Sequence, residues 1–185
     1  MTDRDEKSGH DRATGAGIME AARQAGRRGP PPVHLWNPPY CGEMDLEIRP
    51  DGRWIHEGSP IGRPGMVRLF ASVLKREGDR FFLVTPVEKL GIRVVDAPFL
   101  AVDAEISDGL IRFTTNVGDE VAAGPDNPIR IEDRGGEPRP YVHVRRGLDA
   151  LIDRKTFYRL VEAAQDDGSG RLVLRSQGAS FPLGG

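Results

Sequence analysis

The sequence has little with which to do chemistry by the familiar routes. Its one cysteine, Cys41, allows no disulfide within the chain, which suits a reducing compartment. It has four histidines and no Walker A loop, G-x-G-x-x-G, G-x-S-x-G or H-E-x-x-H pattern. None of the phosphate cradles, nucleophile elbows or zinc-binding helices that show themselves locally is therefore present. No apolar run approaches the 18 or so residues that a membrane-spanning helix needs. Met1 to Gly17 lacks the apolar core of a signal peptide, so a cytoplasmic location and no membrane contact are expected. Excess charge of one sign is missing as well. The formal net charge is -2 and the pI about 6.1, which gives no general attraction to a polyanion.

What is present is glycine, proline and arginine. With 23 Gly and 15 Pro, turns should be frequent and long regular elements few. Arginine is 22 of the 26 basic residues, and its planar fork suits bidentate contacts. Charge is uneven along the chain. Residues 85–133 carry ten acidic and four basic side chains, and residues 137–185 carry six and eight. A chain of 185 residues holds one large domain or two small ones, and a half of this length has a marginal core.

Residues 1–14 read as disordered, and Gly17 to Gly26 as a short helix with Ile18, Ala21, Ala22 and Ala25 on one face. Gly29-Pro30-Pro31-Pro32 stops it, and Trp36 and Tyr40 anchor the extended arm that follows. Met44, Leu46 and Ile48 alternate as in a half-buried strand, and Pro50-Asp51-Gly52 turns the chain back into Trp54-Ile55-His56. Met66, Leu69, Phe70, Val73 and Leu74 form a helical stripe that begins near Pro64 and ends at Gly78. Strands follow at Arg80–Val84, Ile92–Val95, Phe99–Ile106 and Leu110–Val117, the last two joined by an Asp108-Gly109 turn. Shorter strands are expected near Val121, at Ile129–Ile131 and at Tyr141–Val144. A second helix spans about Arg154 to Gln165, and Leu172–Leu174 is a final strand.

The second helical stripe repeats the first. Met66, Leu69, Phe70 and Val73 meet Phe157, Leu160, Val161 and Ala164 at a constant offset of 91. At that offset Arg63 meets Arg154, Arg68 meets Arg159, Arg80 meets Arg171 and Leu83 meets Leu174, while Gly62 meets Asp153 as a helix cap. Trp54-Ile55-His56 meets Tyr141-Val142-His143 after a small adjustment, and Leu46 and Ile48 meet Ile129 and Ile131 at offset 83. A helix stripe alone would prove nothing. Matched arginines with a strand on each side argue for duplication. The fold class is α+β, with two related, mostly antiparallel β-rich halves, each carrying one main helix.

Chemistry-bearing residues were weighed against ordinary structural roles. His34, Cys41, His56 and His143 match no metal-ligand spacing, so no metal and no cofactor are expected. Cys41 reads better as a small buried hydrophobe than as a nucleophile. Arg63 and Arg154 stand at helix N-termini, where an anion is favoured, unless Glu57, Asp149 or Asp153 pairs with them. Arg145-Arg146 adds charge nearby. Glu88 and Lys89 lie on the connector between the halves. Trp36, Tyr40 and Trp54 form either an aromatic patch or the anchor of the arm.

Several of these stretches resemble a bacterial family, the domain of unknown function numbered twelve eighty-five. They are Cys41-Gly42 with Asp51-Gly52-Arg53-Trp54, Gly58-Ser59-Pro60-Ile61-Gly62-Arg63, and Leu69-Phe70-Ala71-Ser72-Val73-Leu74. Leu83-Val84-Thr85-Pro86-Val87-Glu88-Lys89, Asp96-Ala97-Pro98-Phe99 and Arg145-Arg146-Gly147-Leu148-Asp149-Ala150 belong with them. The resemblance implies an N-terminal β-rich domain over residues 30–98, after a tail over 1–29, and a C-terminal domain over 99–185 similar to a pleckstrin-homology-like barrel. It implies no catalytic residue. The expected function is a non-enzymatic binding module in bacterial regulation or signal transduction. It would take a protein, nucleic-acid or small anionic ligand at an interdomain groove through Trp54, His56, Arg63, Glu88, Lys89, Arg145 and Arg154. The alternative is a small hydrolase or transferase acting through His56, His143 and Cys41. Oligomeric state is not legible in the residues.

Overall fold

The computed structural model describes residues 10–27 and 29–184. The chain divides into two compact units. The first is built from the chain up to Glu47 together with Trp54–Arg93, and the second from Ile48–Arg53 together with the chain from Val94 onward. Among the described residues no helix is long and apolar enough to cross a membrane.

In the first unit, helix α1 (His10–Gly26) leads through a single 3-10 turn (Val33–Leu35) into strands β1 (Tyr40–Ile48), β2 (Trp54–His56) and β3 (Ser59–Pro60). Helix α2 (Pro64–Ser72) and strands β4 (Leu74–Glu77), β5 (Arg80–Val84) and β6 (Lys89–Val94) complete it. The sheet order is β3-β2-β1-β6-β5-β4. Trp54 stacks on Phe70 of α2, with ring centroids 6.4 Å apart and planes 8° from parallel. Both are buried, with Leu46, Ile48, Leu83 and Val84. Fully burying such side chains is the main favourable term in folding, at about 1.5–3 kcal/mol each. Helix α1 packs on α2, and its Ile18 and Ala22 are wholly buried. Of the residues expected to be disordered, 1–9 lie outside the described residues and 10–14 open α1.

The second unit begins with β7 (Phe99–Ser107), β8 (Leu110–Thr115) and β9 (Glu120–Ala122). It continues through β10 (Ile129–Arg134), β11 (Glu137–Arg145) and β12 (Leu148–Ile152), then α3 (Arg154–Glu162), β13 (Gln165–Asp166), β14 (Leu172–Ser176) and β15 (Ala179–Pro182). One sheet runs β10-β11-β12-β7-β8-β9 and the other β13-β14-β15. Asp108 and Gly109 both have positive φ (46° and 74°), as a two-residue primed turn between β7 and β8 requires.

The duplication is visible in the strand order. The run β1-β2-β3-α2-β4-β5-β6 recurs as β10-β11-β12-α3-β13-β14-β15. The sheet β3-β2-β1-β6-β5-β4 is matched by β12-β11-β10 and β15-β14-β13, with β10 in contact with β15 where β1 pairs with β6. Strands β7–β9 are an addition to the second copy, joined to β12 by a parallel seam (Ala150 to Phe99, Ile152 to Ala101). That seam departs from antiparallel pairing, and the pleckstrin-homology-like likeness finds no confirmation in this order.

Three expectations need correction. The first helix ends at Ser72, not Gly78, because Leu74 already pairs with Leu83 as β4 of a hairpin. Strands β3, β12, β13 and β15 were unforeseen: β12 is buried at every position and so shows no alternation, while β3, β13 and β15 have two, two and four residues. The helices and their caps stand 90 residues apart, not 91, which aligns Arg63 with Asp153.

The Ile48–Arg53 turn is held within the second unit. Val95 N–H donates to Ile48 O (3.0 Å), and Asn116 Nδ2 donates to Gly52 O (3.2 Å) while its Oδ1 accepts from Leu100 N–H (3.0 Å). Gly52 has φ +84°, and a Cβ there would lie 2.8 Å from Asn116 Nδ2, so both backbone and space demand glycine.

Candidate binding cleft

Within the second unit, β11, β12, α3 and the Pro50-Asp51 turn enclose a cleft of about 730 Å3. That is within the usual range of ligand sites, roughly 300–1,000 Å3. Leu100, Leu151, Ile152 and Phe157 supply apolar surface, Pro138 and Pro140 stiffen the lining, and exposed Tyr158 completes it. Five charged residues line it: Asp51, Glu137, Arg139, Asp153 and Arg154. Two of the three acids have structural tasks. Asp51 accepts from Arg53 through Nε (2.7 Å) and backbone N–H (3.1 Å). Asp153 caps α3 by accepting from Thr156 N–H at 2.9 Å. Arg154, in the first turn of α3, has no ion-pair partner among the described residues.

Behind the wall lies a charged cluster. Register places Arg130, Glu132 and Arg134 of β10 opposite Tyr141, Arg139 and Glu137 of β11, all on one face. Tyr141 O–H donates to Asp96 Oδ1 at 2.7 Å, and Arg134 Nη1 lies 3.3 Å from the same oxygen. The guanidinium carbons of Arg130 and Arg134 stand 4.7 and 5.8 Å from the Tyr141 ring centre. Burial, then the bond to Asp96, pushes the Tyr141 phenol well above its ordinary range, so it stays a hydrogen-bond donor. Asp96 is 4% exposed, and its Oδ2 is buried without a hydrogen bond. Arg139 Nη1 lies 3.8 Å from Oδ2. Arg139 thus faces a buried carboxylate on one side and the cleft on the other.

A model of the DUF1285 N-terminal domain matches residues 31–97, and one of the DUF1285 C-terminal domain matches residues 98–183. The chain belongs to the DUF1285 family. A solved DUF1285 family protein from Silicibacter pomeroyi DSS-3 is 55% identical, with a TM-score of 0.83 over 90% of this chain and 94% of that one. Another, from Shewanella baltica OS155, is 28% identical, with a TM-score of 0.52 over 64% of this chain and 91% of that one. No curated protein matches the chain.

The seven residues expected to bind a ligand fall into different settings in this DUF1285 chain. Among them only Arg154 lines the cleft. Trp54 is 2% exposed and stacked in the core, so it presents no surface to a ligand. His56 is half-buried, and Arg63 is exposed at the cap of α2. Neither Arg63 nor Arg154 is paired with Glu57, Asp149 or Asp153, since Asp149 binds Arg130 (2.9 Å) and Asp153 caps α3. Lys89 is held by Glu77 (2.8 Å) over the Phe82 ring, and Arg145 by Asp119 (2.5 Å) over the Phe99 ring. Glu88 is half-buried, and burial raises its carboxyl above the ordinary value. Trp36 is half-buried, and its carbonyl accepts from Lys75 Nζ.

The residues of the enzymatic alternative have structural surroundings. Gly147 N–H donates to His143 Nε2 (3.0 Å), and His143 Nδ1 lies 3.2 Å from Asp126 O. A neutral ring protonated at Nδ1 satisfies both contacts. Cys41 is exposed rather than buried, and its Sγ points to Pro39 O at 3.3 Å. Among the described residues, no group of three or more His, Cys, Asp and Glu is arranged to hold a metal. Sequence reasoning missed Arg139, Tyr141 and Tyr158 as site residues. The signal available was Asp96 in the family stretch and the alternation of Arg139 with Tyr141.

Proposed function

We propose that this DUF1285 chain is a non-enzymatic binding module, acting in bacterial regulation, that holds a segment of a protein partner in the cleft of its second unit. The observation that carries this reading is the cleft itself, whose lining includes apolar Leu100 and Leu151, Pro138 and Pro140, and an exposed Tyr158. Rigid aromatic and proline surface suits a peptide, because it offers contact area with little conformational entropy to lose. A nucleic-acid strand is disfavoured, because two arginines share the lining with three acids and offer no charged track for a phosphate backbone.

Selection of displayed random peptides on the full-length protein tests the reading, with Tyr158→Ala as counter-selector. Peptides that enrich on the parent and fall away on the variant support it. Enrichment that is equal on both places binding elsewhere. A thermal-shift panel of nucleotides and single-stranded DNA and RNA runs in parallel. Stabilisation by these, without peptide enrichment, would replace the reading with a nucleic-acid one.

A further inference from the structure

We infer that the segment taken by the cleft carries a carboxylate, received between Arg139 and Arg154, and that the buried Asp96 positions Arg139 for it. This rests on the peptide-binding reading above and adds the chemical class of the ligand. The argument starts from what each charged lining residue already does. Asp51 and Asp153 are committed to Arg53 and to the cap of α3. That leaves two guanidinium groups and Glu137 facing the cleft. Arg154 has no ion-pair partner among the described residues, and Arg139 has only the long approach to Asp96 at 3.8 Å. Each guanidinium carries five N–H donors, so most of the donors of both groups are open to a ligand.

The placement of Arg139 is built rather than incidental. A charged side chain that is 4% exposed is costly unless paired. Asp96 Oδ1 receives Tyr141 and Arg134, but Oδ2 is buried without a hydrogen bond, and Arg139 Nη1 approaches it to 3.8 Å. Attraction to that oxygen restrains Arg139, which lines the cleft with its side chain 37% exposed. Pro138 and Pro140 flank it in β11 and restrict the backbone that carries it. A carboxylate on the ligand would complete a bidentate contact there, which a lysine could not reproduce. Arg154, which also lines the cleft, at the start of α3, adds a second donor set beside the helix N-terminus.

The test uses two synthetic pools of short peptides with the same leucine and tyrosine content. One has glutamate and the other glutamine at the remaining positions, and binding to the full-length protein is read by fluorescence anisotropy. The glutamate pool should bind about tenfold to a hundredfold more tightly, the span expected for a charge-assisted hydrogen bond. Arg139→Gln and Arg154→Gln should each bring it to the level of the glutamine pool, and Arg139→Lys should restore less than half of the difference in binding energy. Arg63→Gln, outside the cleft, should change nothing. Asp96→Asn should reduce the preference for glutamate while leaving glutamine-pool binding intact, which a merely destabilised fold would not do. Equal binding of the two pools that Tyr158→Ala abolishes would overturn the carboxylate inference and keep the peptide-binding reading. Binding of neither pool would overturn both.

Discussion

The two copies of the repeat share a frame and bury it differently. In the first, α1 lies against α2, and Gly17 passes so close to Glu88 on the β5–β6 loop that an added Cβ would sit 3.1 Å from its carboxylate. In the second, no helix precedes the repeat, and the added strands take that place. Ser176 at the end of β14 accepts from Ile111 N–H (2.9 Å) and donates to Ala123 O (2.7 Å), and Arg159 of α3 reaches Asp103 and Ala104 on β7. The aligned aromatic residue in the second strand of each repeat diverges in the same way. Trp54 stacks on the helix in an apolar core, whereas Tyr141 is tied to Asp96 between arginines. The second copy thus carries a polar cluster where the first has apolar packing, and a cleft beside it.

Removing what ties each aligned aromatic into its copy, the ring of Trp54 and the hydroxyl of Tyr141, should show the contrast at its largest. Trp54→Ala is expected to cost about 3–5 kcal/mol in denaturant unfolding, because it empties a packed core. Tyr141→Phe should cost about 1–2 kcal/mol, since the ring remains and only the hydroxyl bond to a carboxylate goes. A cost for Tyr141→Phe as large as that for Trp54→Ala would break the comparison.

Next in size is Ile18→Ala, at about 2–4 kcal/mol if α1 covers the first repeat as its burial indicates. Native-state hydrogen exchange should show the loss in β1, β5 and β6 and leave β8 and β14 protected. Loss spread evenly over both units would show that the two covers do not act separately.

The smallest effects are electrostatic and have opposite signs. Hydrogen bonding by Lys89 is the largest effect on the Glu77 carboxyl and holds it below its ordinary value against burial, with Lys75 adding a lesser lowering. A lowered folded value means that this contribution is present above the unfolded value and is lost as pH falls through the folded one. Glu77→Gln should therefore cost about 0.5–1 kcal/mol at neutral pH, and the difference should fade on acidification. Glu88 is raised by burial, so its contribution is present below the unfolded value and is lost as pH rises through the folded one. Glu88→Gln should raise stability at neutral pH and converge with the parent in acid. Thermal melts across the acidic range check both, and matching signs would refute the assignment.

Periodicity carried a good part of this fold. The alternation of Leu46 and Ile48, the stripe of Met66 and Phe70, and the Asp108-Gly109 turn are local signals, and each produced its element. The repeat was legible because two such stripes recur with strands around them. Strand β12 was not legible, since burial on both faces removes alternation, and the helix end at Ser72 depends on Leu74 finding Leu83.

The site was less legible than the fold. Arg154 stood out because a helix start is a local feature. Arg139, Tyr141 and Asp96 meet only because β10 and β11 fix their register and the chain before β7 brings Asp96 to the phenol oxygen. Lys89 and Arg145 looked equally available in the sequence, and Glu77 and Asp119 engage them once the chain folds. By itself the sequence determined the class, the duplication and the turns, because these depend on neighbours along the chain. Tertiary structure alone decided which arginines keep their donors open. That depends on which carboxylates arrive across strands and how far burial removes competing water.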